Sequence, residues 1–112
     1  MNNNTVLYVR STNNSKHSLE LQKSNGRNYA KHNSLKLNII VDTNTSGVKP
    51  LNERSGSSAL LHLVENGLVN TIIVESLSRI SRNFVVTSEF ISFIDQHNVN
   101  LIILEGGDQC GK

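Results

Sequence analysis

An open α/β sheet, a three-layer domain of mostly parallel strands with helices on both faces, is the fold this sequence predicts. Two observations predict it. Four short runs rich in β-branched residues, Thr5–Arg10, Leu37–Asp42, Asn70–Glu75 and Val99–Glu105, are continuous rather than alternating, which is how strands covered on both faces read. Between them lie stretches long enough for helices, Lys16 to about Asn33, Arg54 to Asn66 and Asn83 to His97, so the order is β-α-β-α-β-α-β. Strands and helices alternating at this spacing imply right-handed crossovers, and ligand chemistry in such sheets collects beyond the carboxyl ends of the strands.

Each element has its own signature. The first strand ends on Arg10-Ser11-Thr12 and is followed by the first helical stretch. The second strand ends on Asp42 and opens the segment Asp42 to Ser58, built from Thr, Asn, Ser and Gly with the only proline, Pro50. That segment reads as a long, mobile loop with few apolar anchors, and loops of this length in a compact domain are usually functional or disordered. In the second helix Leu60, Leu61 and Val64 recur at helical spacing and Asn66-Gly67 supplies the stop. In the third helix Val86, Phe90, Phe93 and Ile94 form an apolar stripe behind Asn83, an N-cap. These stripes are core. The segment Gly106 to Lys112 is Gly-rich and polar, so the expected organisation is one domain over residues 1–105 and a flexible tail over 106–112.

Composition excludes several classes of function. A chain of 112 residues can bury a core but cannot hold a complete multi-domain enzyme. No apolar run approaches the roughly 20 residues of a membrane helix, and the Asn-rich start Met1 to Thr5 is no secretory signal, so a cytoplasmic protein without membrane contact is expected. The net charge of +2 is compatible with phosphate binding but far below that of a dedicated basic DNA-binding arm. Cys110, the single cysteine, can form no internal disulfide. His17, His32, His62 and His97 have no ligand-like i, i+4 pairing and read as structural or surface residues, so no metal and no cofactor are expected. No Walker-type glycine loop is present, which argues against a nucleoside triphosphatase.

The strand ends carry the chemistry. Tyr8-Val9-Arg10-Ser11-Thr12 closes the first strand, Asp42-Thr43-Asn44-Thr45-Ser46-Gly47 follows the second, and Leu77-Ser78-Arg79-Ile80-Ser81-Arg82-Asn83 follows the third. Asn52-Glu53-Arg54-Ser55-Gly56 adds another guanidinium ahead of the second helix. A hydroxyl pair, one carboxylate and four arginines therefore converge on one sheet edge. Guanidinium groups match phosphate oxygens with forked hydrogen bonds, so several around one hydroxyl suit phosphoryl transfer without a metal. Arg79 and Arg82 are three apart, and in a helical turn both would lie on one face and bracket one phosphate.

These residues resemble the N-terminal catalytic domain of the serine recombinases, the resolvases and invertases. That family begins with Y-x-R-x-S-T, continues with S-L-x-x-Q, D-x-x-x-S-G and R-x-G, and ends a strand on L-[DS]-R-[LIF]-[SG]-R. The matching residues are Tyr8 to Thr12, Ser18-Leu19-Glu20-Leu21-Gln22, Asp42 with Ser46-Gly47, Arg54-Ser55-Gly56, and Leu77 to Arg82. The resemblance implies a resolvase-like sheet of strand order 2-1-3-4, DNA as partner, and site-specific recombination by cleavage through a 5′-phosphoserine intermediate and rejoining. It implies that Arg10, Arg54, Arg79 and Arg82 hold the phosphate and that Asp42 orients arginines or assists proton transfer. Ser46 and Gln22 would complete the hydrogen-bonding shell, with Gln22 and Ser78 facing DNA. The nucleophile is open between Ser11, the primary hydroxyl, and Thr12, which occupies the family's position two residues after the arginine. On a strand a shift of one residue turns a side chain to the opposite face, so the two cannot be equally placed. A domain that keeps the fold for association only is the alternative, and an unrelated flavodoxin-like or nucleotide-binding domain a third reading. Family members continue into a helix used for dimer and tetramer formation and a DNA-binding domain. A dimer or tetramer is thus expected of the full-length protein, and a monomer of this fragment.

Overall fold

The computed structural model describes residues 4–12 and 16–105. It contains β1 (Thr5–Arg10), α1 (Lys16–His32), β2 (Leu37–Asp42), a 3-10 turn (Leu51–Glu53), α2 (Ser55–Glu65), β3 (Thr71–Val74), α3 (Leu77–Ile80), α4 (Phe84–Gln96) and β4 (Asn100–Ile103). The sheet is all parallel in the order β2-β1-β3-β4, as predicted. The expected tail, Cys110 included, lies outside the described residues.

β1 runs through the middle of the sheet with all six residues buried. Its side chains alternate between the two faces. Val6 and Tyr8 join Ile72, Val74, Leu60, Val64, Phe90 and Ile94 in the cluster under α2 and α4. Leu7 and Val9 join Ile73, Leu19 and the partly buried Tyr29 under α1. Helices therefore cover both faces, and burying Leu7, Val9, Ile72 and Ile73 completely contributes roughly 1.5–3 kcal/mol each.

The expectation that every strand is covered on both faces holds for β1 but not for the edges. β2 is mostly half-buried, and β4 has two exposed and two half-buried residues. A continuous apolar run does not report how far the flanking helices extend over an edge strand. The helical stripes pack inward, and Asn83 caps α4 by accepting from Val85 N at 2.8 Å and Val86 N at 3.2 Å. Gly67, at φ +69°, adopts the left-handed conformation that ends α2. All four histidines are exposed. The short α3 was not anticipated: four residues are too few for a periodic pattern.

Candidate functional site

The carboxyl end of β1 is the hub. Arg10 lies two residues after Tyr8, on the same face, and is 1% exposed. Its guanidinium donates to three backbone carbonyls: Nε to Arg79 at 2.9 Å, Nη1 to Thr45 at 2.9 Å and Nη2 to Ser78 at 2.6 Å. One side chain thus ties β1 to the loop after β2 and to the α3 turn. Burial first, and then the Arg54 charge, holds this guanidinium below its ordinary range.

The backbone of Arg10 is clamped from the other face. Gln22 of α1 accepts from Arg10 N at 3.2 Å through Oε1, and its Nε2 donates to Arg10 O at 3.0 Å and to Ser18 Oγ at 3.2 Å. Gln22 is 1% exposed, so it positions the end of β1 and presents no amide to solvent. Ser11 continues the ladder, donating its N–H to Asp42 O at 3.0 Å and accepting from Thr45 N at 2.9 Å. Ser11 is buried and Thr12 exposed, so the two hydroxyl candidates occupy different environments.

Asp42, at the end of β2, accepts from Gly56 N at 2.7 Å, Ser57 N at 2.9 Å and the Tyr8 hydroxyl at 2.7 Å. It therefore caps the N-terminus of α2 from a neighbouring strand, where a negative charge is favoured. Arg54 donates Nη1 to the Tyr8 oxygen at 3.1 Å, Nη2 to Gly47 O at 3.1 Å and Nε to Lys49 O at 3.0 Å. The carboxylate thus reaches Arg54 through the phenol. Burial pushes the Tyr8 pKa well above 10.0, and the bond to Asp42 adds to the effect.

The loop over residues 43–50 has few apolar anchors, but it is held by polar ones. Thr45, Gly47 and Lys49 all offer carbonyls to buried arginines. Gly47 O also accepts from Ser81 Oγ at 3.2 Å and Arg82 N at 3.0 Å. A Cβ on Gly47 would stand 2.7 Å from Arg82 Cδ and 2.8 Å from Arg10 Nη2, so only glycine allows both arginines this close.

The remaining arginines differ from the expected bracket. α3 ends at Ile80 and Ser81 is extended, with φ −161° and ψ 151°, so Arg79 and Arg82 do not share a helical face. Arg79 is partly buried; its Nε and Nη2 meet Glu75 Oε1 at 3.0 Å and 2.7 Å, and Nη1 donates to Arg10 O at 3.3 Å. Arg82 is exposed beside Gly47. Ser46 is exposed and its hydroxyl accepts from Val48 N at 3.2 Å. Ser78 is exposed, with its hydroxyl paired to Ser76 Oγ at 2.8 Å. Among the described residues no three His, Cys, Asp or Glu side chains are grouped to hold a metal ion.

Residues 5–111 match the family model for the resolvase N-terminal domain. The chain belongs to that family. This resolvase domain is similar in fold to the C-terminal catalytic domain of ISC1926 TnpA, an IS607-like serine recombinase, at TM-score 0.83 and 23% identity, over 96% of this chain and 71% of that one. It is similar to the N-terminal catalytic domain of TP901-1 integrase at TM-score 0.83 and 22% identity, over 90% and 77%. A resolvase family site-specific recombinase from Streptococcus pneumoniae matches at TM-score 0.77 and 24% identity, over 94% and 74%. No curated protein matches the chain. Among the described residues no helix is long and apolar enough to cross a membrane.

Three residues of the resolvase domain's site escaped the sequence reading as participants: the Tyr8 phenol, Glu75 and Ser81. Two of them carried a signal. Tyr8 is i−2 to Arg10 on one strand face, and Glu75 is i−4 to Arg79, the spacing of a helical ion pair.

Proposed function

We propose that this resolvase domain breaks and rejoins DNA at specific sites through a hydroxyl at the end of β1. The oxygen attacks the scissile phosphorus, the bond from phosphorus to the 3′ oxygen breaks, and the 3′ oxygen leaves with a proton. The product is a 5′-phosphoserine linkage and a 3′-hydroxyl, and reversal from a new 3′-hydroxyl rejoins the strand. The single observation that carries the reading is the Arg79 guanidinium on the carbonyl of Arg10, the peptide that leads into Ser11. Arg79 and the exposed Arg82 hold the phosphate by forked bonds. Arg10 and Arg54, both buried, hold the surrounding loop and contribute charge. Asp42 and Gln22 act on the frame, while Ser46 and Ser78 stand at the exposed rim toward DNA.

Ser11 is the proposed nucleophile, because a primary hydroxyl is less hindered for in-line attack than the Thr12 oxygen, although Thr12 matches the family spacing. The reaction uses no cofactor and takes place in the cytoplasm, with the full-length protein acting as a dimer or tetramer. The test is covalent adduct formation on a nicked suicide substrate by full-length protein and its Ser11→Ala and Thr12→Ala variants. Loss of the adduct in one variant assigns the nucleophile. A second reading, a domain kept for association alone, is favoured by the engagement of each guanidinium nitrogen of Arg10 and Arg54 with an internal acceptor. No adduct from the unmutated protein would leave that reading.

A further inference from the structure

Glu75 directly follows β3 and directs its carboxylate at an arginine of the site. Its Oε1 receives both Nε and Nη2 of Arg79, at 3.0 Å and 2.7 Å. Those two nitrogens form the edge with which a guanidinium grips a phosphate. The third nitrogen is on Arg10 O at 3.3 Å, so every nitrogen of the Arg79 guanidinium has a partner within the domain. The pair is not sealed off: the side chains of Arg79 and Glu75 are 26% and 20% exposed, which leaves it open to an anion arriving from solvent. A concavity of about 330 Å³ lined by Asn25, Glu75, Leu104 and Glu105 lies beside the carboxylate. It gives a displaced Glu75 somewhere to turn, and the second carboxylate in it raises the local negative charge.

We propose that Glu75 is a positioning residue that latches Arg79: its carboxylate occupies the arginine edge that the DNA phosphate takes over, and the phosphate binds by displacing it. This rests on the reading that Arg79 holds the scissile phosphate. Until DNA arrives the latch keeps the guanidinium aimed at the end of β1 and turns away free phosphate. A phosphodiester presented by a docked duplex wins because many other contacts hold it there, whereas a free anion has only the arginine.

The test is titration of the 112-residue chain with inorganic phosphate, following the Arg79 Nε–H resonance by NMR, in the unmutated protein and in Glu75→Gln. The latch requires a midpoint at least about threefold lower in Glu75→Gln, the size of effect a partly exposed ion pair supports. Glu75→Asp, which keeps the charge, should stay near the unmutated midpoint and serves as the comparison if the glutamine variant misfolds. A smaller change in Glu75→Gln, a larger one in Glu75→Asp, or no movement of the resonance in any of the proteins overturns the latch. The titration needs no strand cleavage, so failure of adduct formation removes the recombinase reading while leaving this measurement intact. In the full-length protein Glu75→Gln should form adduct faster at subsaturating DNA; slower formation would mean that Glu75 only orients Arg79, and would overturn the latch.

Discussion

Replacing Tyr8 by phenylalanine removes one oxygen from a side chain that is 1% exposed. That oxygen donates to Asp42 Oδ2 at 2.7 Å and accepts from Arg54 Nη1 at 3.1 Å. Asp42 would keep its bonds from Gly56 and Ser57, and Arg54 its bonds to Lys49 and Gly47. One carboxylate lone pair and one guanidinium N–H would be left without a partner in a place water reaches poorly. Hydrogen bonds to charged groups contribute about 1.5–3 kcal/mol each. Shedding the cost of burying the hydroxyl offsets part of the loss, so Tyr8→Phe should destabilise by about 2–4 kcal/mol. With a urea m-value of about 1.5 kcal/mol/M for a domain of this size, the midpoint should fall by roughly 1.3–2.7 M. In a double-mutant cycle with Arg54→Leu the two changes should couple by about 1 kcal/mol. A loss below about 0.5 kcal/mol, or strict additivity with Arg54→Leu, would refute the claim that the phenol bridges Asp42 to Arg54.

Gly47→Ala should cost about 1–3 kcal/mol of stability by forcing Arg82 and Arg10 away from the loop, and should slow adduct formation in the full-length protein; equal thermal midpoints for the two proteins would contradict the close approach. Asn83→Ala should lower stability by about 1 kcal/mol through loss of the α4 cap, read as a drop in the thermal midpoint with the far-ultraviolet spectrum unchanged. The alkaline limit should belong to Tyr8. Its folded pKa lies above the unfolded value, so the stability it contributes is complete below pH 10.0 and declines as pH rises through the folded value. Tyr29→Phe leaves Tyr8 as the only tyrosine, and phenolate absorbance should then emerge above pH 10.0 together with unfolding; a phenolate forming near pH 10.0 in an intact fold would disprove the burial argument.

The fold was legible because its signals are local. Val6 to Val9 is a run of large and β-branched side chains bounded by Thr5 and Arg10, and β1 has the predicted limits. Asn83 announces α4 through a cap whose chemistry acts over three residues. The engagement of the arginines is different in kind, because the partners of Arg10 are carbonyls 35, 68 and 69 residues away along the chain. Every residue except proline carries the same backbone groups, so no pattern of side chains marks Thr45, Ser78 and Arg79 as acceptors. The sequence shows that guanidinium groups gather at the sheet edge; only the fold shows which of them face inward. Gln22 illustrates the same limit, since an exposed-looking amide on a helix turns out to close on the backbone of Arg10.

Burying Arg10 and Arg54 also has an electrostatic result. Among the described residues neither forms an ion pair; carbonyl oxygens and the Tyr8 phenol satisfy their donors. Carbonyl dipoles satisfy hydrogen bonds without cancelling a formal charge, so the positive potential of Arg10 persists at the end of β1. Its guanidinium is held below its ordinary range by burial and then by Arg54, with Arg79 and Arg82 adding smaller contributions of the same sign. Arg10, Arg54 and Arg82 bring like charges to one loop, tolerated because the loop's own backbone is wrapped around the buried pair, while Arg79 is paired with Glu75. Under the proposed function an incoming phosphate would meet Arg82 at the exposed rim and would take the place of Glu75 on Arg79. The inward arginines therefore set the shape of the loop and add to the field it presents, while contact with the phosphate is the role proposed for Arg79 and Arg82.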